Sequence, residues 1–160
     1  MNRSTESLLR FLNLSTSGLL AGSLGFGEAA LIPGWELERS NRTDGREDSA
    51  PNRYLNAIGP VALASSMALA VGARGEKPLR RMLDVVSTLG LAGVLATTTL
   101  VTIPIARRID ENRPLDYATE DTQSLTRNWS RAHSLRTTLG ITAFVCAAAS
   151  TVMRRPQRVP

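Results

Sequence analysis

The chain has 160 residues, a formal net charge of +5 and a hydrophobic fraction of 42%, values typical of one ordinary basic soluble domain. A single cysteine excludes an internal disulfide framework and a zinc site built from several cysteines, and a single histidine excludes motifs that need two. The positive charge suggests nucleic-acid binding, but that role needs a basic face carrying base-reading side chains, which the sequence does not present. We therefore expect no nucleic-acid partner.

Four stretches of the chain are nearly free of charged residues: 11–33, 55–73, 85–106 and 137–153. Each holds between 17 and 23 residues, which is the length of a transmembrane helix. A soluble amphipathic helix would carry a charged face, whereas the polar positions here are mainly Ser, Thr and Gly. The pattern predicts an all-α, integral membrane four-helix bundle, forming one domain over residues 1–160. The alternative is a soluble bundle of four apolar helices.

The predicted spans follow in chain order at residues 9–33, 55–73, 83–106 and 135–153, with polar loops at 34–54 and 107–134. Two arginines precede the first apolar run, as they do in a signal peptide. The run nevertheless continues to Ile32, well past the small residues that resemble a cleavage site. We therefore predict a retained span at this position.

The distribution of Lys and Arg predicts the orientation in the membrane. Four spans place both termini and the loop between spans two and three on one side. That side concentrates its positive charges in the short segments GARGEKPLRR and MRRPQRVP, whereas the other side mixes arginines with acidic residues in two longer loops. The positive-inside rule then favours both termini in the cytoplasm and a location in the cell (inner) membrane.

Small residues occur within the spans at spacings that allow close helix packing. Gly18 and Gly22 form a GxxxG motif in span one, and glycines recur in spans three and four. We interpret these positions as contacts within one molecule. Homo-oligomerisation through the same faces is the alternative.

Polar side chains collect where the spans meet one membrane face. Glu28 lies near the end of span one, Asn56 opens span two and Thr102 closes span three. At the start of span four, Trp129, His133 and Arg136 are separated by four and three residues, so they share one helix face.

An ionisable group within a span is costly and usually faces the bundle interior with a partner. We therefore predict that Glu28 pairs with Arg136 or His133 and that these side chains line a small polar pocket. The separate alternatives are an interfacial Trp129, an Arg136 that extends to the lipid head groups and a structural His133. On the opposite face, Asp84 follows Arg80 and Arg81 by four and three residues, which indicates local ion pairing.

Two strings give the chain a family resemblance. Thr102-Ile-Pro104-Ile is followed by two arginines and closes span three, and Asn128-Trp129-Ser-Arg-Ala-His133-Ser-Leu-Arg136 opens span four. With the four-span layout, these strings resemble the DUF1772 family, also called the anthrone oxygenase-like family, over roughly residues 8–153. Members often have an Asn where this chain has Ala106.

The resemblance implies an oxygenase that converts lipophilic polycyclic anthrones to anthraquinones with dioxygen and without a metal or other cofactor. That chemistry suits the residues of the predicted pocket, so we expect His133 and Arg136 to be catalytic, with His133 as the base and Arg136 stabilising the enolate oxygen. The substrate-binding residues are then expected to be Glu28, Asn56, Thr102, Asn128 and Trp129. The expected partners are membrane lipid, the aromatic molecule and dioxygen. The alternative is a non-catalytic membrane protein that acts as a scaffold or as a lipid- or quinone-associated subunit.

Overall fold

The computed structural model describes residues 2–31, 50–72, 77–111 and 120–153, and these ranges are helical almost throughout. We number the α-helices α1 to α5, and two of them continue into π-helical segments. The elements are α1 at Arg3–Phe26, the first π segment at Gly27–Leu31, α2 at Ala50–Gly72, α3 at Pro78–Thr97, the second π segment at Thr98–Thr102, α4 at Ile103–Glu111 and α5 at Glu120–Val152. The described residues form no β-strand, and the predicted all-α class is confirmed.

The helices extend beyond the apolar stretches into regions that the sequence assigns to loops. Helix α5 begins at Glu120, far ahead of the predicted span start at residue 135, and α4 continues to Glu111. The charged segment ahead of the fourth apolar stretch is therefore mostly helix, and most of the predicted loop 34–54 lies outside the described residues.

Many hydroxyl groups of the spans are satisfied by their own helices. Ser17 donates to the carbonyl of Asn13 at 2.5 Å, and Thr88 donates to the carbonyl of Asp84 at 2.8 Å. Further hydroxyls bond one turn back in the same way, including those of Thr16, Thr98, Thr138 and Thr151. This back-bonding lets Ser and Thr occupy apolar helices without exposing an unpaired polar group to the interior.

The four long helices pack side by side in a ring. Helix α1 contacts α2 and α5, and α3 contacts the same two helices from the other side. The apolar core lies at mid-height and consists of Leu20, Leu24, Ala62, Leu91, Val94 and Ala143.

Gly90 lets α3 and α5 approach closely, because a Cβ there would lie 3.0 Å from the carbonyl oxygen of Leu139. In the GxxxG motif of α1, Gly18 packs against Phe144, whereas nothing lies within 4 Å of a Cβ placed on Gly22. Among the described residues, only the first glycine of the motif therefore serves packing within the molecule.

The outer surface of the helices is strongly apolar. Large exposed side chains occur on all four long helices, among them Phe11, Met67, Leu89 and Val145. The stretches Pro78–Ile105 and Arg127–Val152 are long and apolar enough to cross a membrane, and only 28% and 33% of their most apolar windows are buried inside the protein. Most of their apolar surface therefore faces outward, which distinguishes them from the core helices of a soluble protein. Helix α2 has a shorter apolar segment, Ala57–Gly72.

Four charged side chains and a serine form a buried cluster at the end of the ring where α1 and α3 begin and α5 ends. We call Glu6, Arg10, Arg80, Asp84 and Ser150 the Arg10 cluster. The Nη1 of Arg10 lies 3.5 Å from Oδ1 of Asp84 and donates to Oγ of Ser150 at 3.2 Å, and Ser150 in turn donates to Asp84. Glu6 accepts hydrogen bonds from Arg10 at 2.9 Å and from Arg80 at 2.6 Å.

The Arg10 cluster extends beyond the helix-local pairing that the sequence predicts for Asp84, which stays a prediction. Asp84 is only 2% exposed and contacts residues of two other helices, α1 and α5. Helical spacing identifies neighbours within one helix, whereas packing brings Arg10 and Ser150 to the same carboxylate. The cluster therefore joins three of the four long helices.

Replacing Asp84 with Asn should lower the free energy of unfolding by about 3 kcal/mol, because the buried Arg10 guanidinium then loses one of its counter-charges. Thermal unfolding of the purified protein in detergent measures the corresponding fall in Tm. Arg81→Gln is the matched control, since Arg81 lies in the same part of α3 but is exposed. An Asp84→Asn variant as stable as the wild type would contradict a stabilising role for the cluster.

The pKa of Glu6, which precedes the first apolar stretch, predicts how stability responds to acid. Burial raises this pKa, but the hydrogen bonds and positive charges of Arg10 and Arg80 outweigh burial and hold the pKa below its ordinary value. A lowered carboxylate pKa stabilises the fold above the unfolded-state pKa of about 4.3, and this stabilisation disappears as the pH falls toward the folded-state value. The Tm difference between wild type and Glu6→Gln should therefore shrink from pH 7 to pH 3, and a constant difference would contradict the pairing.

Candidate functional site

At the opposite end of the ring, α5 meets the end of α1 and both π segments. Helix α5 supplies Trp129, His133 and Arg136 from one face, as the spacing predicts, and His133 and Arg136 are each 6% exposed. The first π segment supplies Gly27 and Glu28. The site is thus assembled from elements far apart in sequence, and the apolar core separates it from the Arg10 cluster.

The hydrogen bonds of His133 define its protonation state in this arrangement. The Nη2 of Arg136 donates to Nδ1 of His133 at 3.0 Å, and a guanidinium can only donate. Nδ1 must therefore carry a lone pair, so that the proton of a neutral ring lies on Nε2. Nε2 lies 3.3 Å from the carbonyl oxygen of Leu24 and donates to it. Both nitrogens of the imidazole are thus engaged.

Arg136 has hydrogen-bonding capacity that the resting site does not use. Besides its bond to His133, its Nη1 donates to Oγ1 of Thr98 at the long distance of 3.4 Å. Its Nε is buried and has no hydrogen-bond partner among the described residues. A guanidinium with spare donors next to an imidazole is suited to binding an oxygen atom that gains negative charge.

Glu28 lies beside His133 and is fixed by Ser134. The hydroxyl of Ser134 donates to Oε1 of Glu28 at 2.5 Å, and Oε2 lies 3.8 Å from Nε2 of His133. Of the two partners predicted for Glu28, the structure brings His133 to this distance. Arg136 donates side-chain hydrogen bonds to His133 and Thr98.

Trp129 covers the imidazole from one turn earlier in α5. The two ring centroids are 5.4 Å apart and the planes are inclined by 22°, so the rings are stacked. The indole therefore restricts the imidazole and contributes a flat aromatic surface at the site.

The first π segment explains how α1 approaches the site so closely. A Cβ on Gly27 would lie 3.0 Å from Nε2 and 3.1 Å from Cε1 of His133, so only glycine fits without displacing the ring. The π register begins just after Leu24, whose carbonyl accepts from both His133 and Thr137. π-Helical turns change which carbonyls the helix itself satisfies, and they are frequent at functional sites.

The second π segment precedes Pro104, which has no backbone N–H to continue the α-helical ladder. Within the segment, the Thr102 hydroxyl donates to the carbonyl five residues back, at 3.3 Å. Thr98, its first residue, contacts Arg136. The change of register therefore occurs where this helix meets the site.

Of the residues predicted for the site, the structure brings four together: Glu28, Trp129, His133 and Arg136. Thr102 is buried but bonds within its own helix, and Asn128 is exposed on α5. The side chain of Asn56 lies outside the described part of the chain. Substrate binding by these three residues stays a prediction.

Sequence reasoning missed several groups that hold the site together. These are the Leu24 carbonyl, Gly27, Thr98, Ser134 and Thr137. Gly27 and Ser134 each adjoin a predicted site residue, which was the only signal available for them. The ranges that the structure describes contain no group of three or more His, Cys, Asp or Glu side chains able to hold a metal ion.

Comparison with known proteins adds a family relationship. The family model described as "Anthrone oxygenase" matches residues 52–146, more than half of the chain. The matched region contains Trp129, His133 and Arg136, whereas Glu28 lies ahead of it. No curated protein and no solved structure matches the chain.

Replacing Gly27 with Ala should lower the Tm and alter the Trp129 environment, because the new methyl group must displace a ring held by three contacts. Thermal unfolding and Trp129 fluorescence, measured in a Trp35→Phe background, report the two effects. Gly25→Ala is the matched control, since nothing lies within 4 Å of a Cβ at that position. Equal behaviour of the two variants would show that the close approach at Gly27 has no importance.

Proposed function

Because this chain belongs to the anthrone oxygenase family, we propose that it is an integral membrane oxygenase that converts lipophilic polycyclic anthrones to anthraquinones with dioxygen. The observation that carries the proposal is the buried Arg136–His133 pair. The guanidinium of Arg136 has spare donors, and its Nη2 lies 3.0 Å from Nδ1 of the imidazole, which carries a lone pair. One group can accept a proton while the other stabilises the resulting negative charge.

The reaction is balanced with dioxygen as the oxidant. A base removes a proton from the CH₂ carbon of the anthrone, and the electron pair left behind delocalises onto the carbonyl oxygen as an enolate. The electron-rich carbon then reacts with dioxygen. One oxygen atom ends as the new carbonyl and the other leaves as water, so one anthrone and one dioxygen yield one anthraquinone and one water.

His133 is the base in this proposal, and Nδ1 is the accepting atom. In the resting site Arg136 donates to that nitrogen, so the lone pair becomes available only when the guanidinium turns elsewhere. The carbonyl oxygen of the substrate offers the alternative acceptor, and its attraction for Arg136 grows as it gains negative charge. One movement of Arg136 then both binds the substrate oxygen and frees Nδ1 of His133.

The surroundings of the pair suit an aromatic, lipophilic substrate. Trp129 presents an indole already stacked on the imidazole, and aromatic rings stack favourably in this geometry. The apolar outer surface and the two membrane-length helices support placement in a bilayer, from which such a molecule can enter. We place the protein in the cell membrane with both termini in the cytoplasm, on the basis of the arginine distribution.

The test is oxygen consumption by purified protein with emodin anthrone as the substrate. Wild type should exceed the spontaneous rate, and His133→Ala should reduce the enzymatic rate by about 10²- to 10⁴-fold, since general base catalysis contributes that much. Ser23→Ala is the control, because its hydroxyl bonds to its own helix on the exposed side of α1. Wild-type protein that leaves the spontaneous rate unchanged would contradict the function.

A further inference from the structure

One oxygen of the Glu28 carboxylate has no hydrogen-bond donor in the resting site. Oε1 accepts from Ser134, but Oε2 is buried and has no hydrogen-bond partner among the described residues. A buried carboxylate oxygen without a donor is costly, so its position needs an explanation. Nε2 of His133 lies 3.8 Å from this oxygen.

The hydrogen on Nε2 therefore faces two acceptors, one near the end of α1 and one in the first π segment. It is donated to the Leu24 carbonyl at 3.3 Å, and the carboxylate lies just beyond hydrogen-bond length. A proton taken up at Nδ1 would make the ring an imidazolium. A positive ring attracts a carboxylate far more strongly than a neutral ring does, and a small movement of Glu28 would close the contact.

We propose that Glu28 is a positioning residue whose carboxylate stabilises the imidazolium that His133 becomes when it takes the substrate proton. This proposal rests on the proposed function for its catalytic part. The proton moves from the substrate carbon to Nδ1, the electron pair stays on the substrate, and Nε2 keeps its hydrogen. The proton stays on the imidazole and does not pass to Glu28, as in other carboxylate–histidine pairs.

The backbone holds Glu28 in place for this role. The first π segment brings Gly27 against the imidazole and puts Glu28 within reach of Ser134, the residue after His133. The Ser134 hydroxyl fixes one carboxylate oxygen, which leaves the other directed at the ring. The described charged groups that face His133 are Glu28 from the first π segment and Arg136 from its own helix. The second π segment contacts Arg136 through Thr98, whose hydroxyl does not titrate.

The single histidine of the chain allows a test that does not require activity. An NMR titration of purified protein in detergent follows the imidazole of His133 without assignment ambiguity. In Glu28→Gln, proton uptake should occur about one pH unit lower than in wild type, because the ring loses its counter-charge. Glu28→Asp, which keeps the charge, should lie between the two. Identical titrations of wild type and Glu28→Gln would overturn the proposal even if the enzyme oxidises anthrones.

Kinetics with emodin anthrone test the catalytic part. Glu28→Gln should reduce kcat by roughly tenfold or more with little change in KM, and Glu28→Asp should recover part of the loss. Ser134→Ala is the matched variant, since it keeps the carboxylate but removes the donor that fixes it, and a smaller loss is expected. A higher KM with unchanged kcat would make Glu28 a substrate contact and overturn the positioning role.

A structural role and a failed function give different results. If Glu28→Gln lowers only the Tm or the folded yield, while the folded fraction keeps wild-type kcat and titration, the carboxylate is structural and the proposal is wrong. If wild type does not oxidise the anthrone but the titrations differ as expected, the proposed function fails and the Glu28–His133 coupling stands.

Discussion

The candidate site depends on one backbone group, the carbonyl of Leu24. It accepts the hydrogen of His133 and a hydroxyl from Thr137, so it fixes α5 to α1 at the level of the imidazole. With Nε2 committed there, Nδ1 is directed at Arg136, and Arg136 in turn extends to Thr98 on the neighbouring helix. A chain of hydrogen bonds thus crosses three helices from a single carbonyl. The first π segment begins three residues after Leu24, next to this contact.

Polar groups occupy the two ends of the ring, and the apolar core fills the space between them. The Arg10 cluster at one end balances two arginines with two carboxylates and contacts three helices. Each end also keeps a buried carboxylate oxygen without a hydrogen-bond partner among the described residues, Oδ2 of Asp84 in the cluster and Oε2 of Glu28 at the site. The two ends therefore differ in chemistry more than in how completely they are paired. Ion pairs build the cluster, whereas the site places an imidazole between a guanidinium and a carboxylate.

Sequence patterns predicted the parts of this molecule that follow from periodicity and charge exclusion. The charge-free stretches indicated four helices, and the spacing of Trp129, His133 and Arg136 placed them on one face. The contacts of Asp84 with Arg10 and Ser150 could not be found in this way, because those two residues come from other helices and depend on packing. The Leu24 carbonyl is a backbone atom, which leaves no mark in the side-chain pattern. The charged segment before the fourth apolar stretch suggested a loop, yet α5 already begins at Glu120. A high density of charge predicts that a segment lies outside the membrane, and it does not by itself distinguish a loop from a helix.

In the proposed reaction, the hydrogen bond between Arg136 and His133 keeps the base latent until a suitable acceptor arrives. Latency of this kind selects substrates by chemistry as well as by shape. A polycyclic hydrocarbon with an acidic carbon but no oxygen would fit against Trp129 and still leave the guanidinium where it is, so its carbon would meet no free lone pair. A ketone of the same shape would draw the guanidinium away from the imidazole as it binds. In the empty site the lone pair stays hydrogen-bonded, so no free base is in contact with dissolved oxygen.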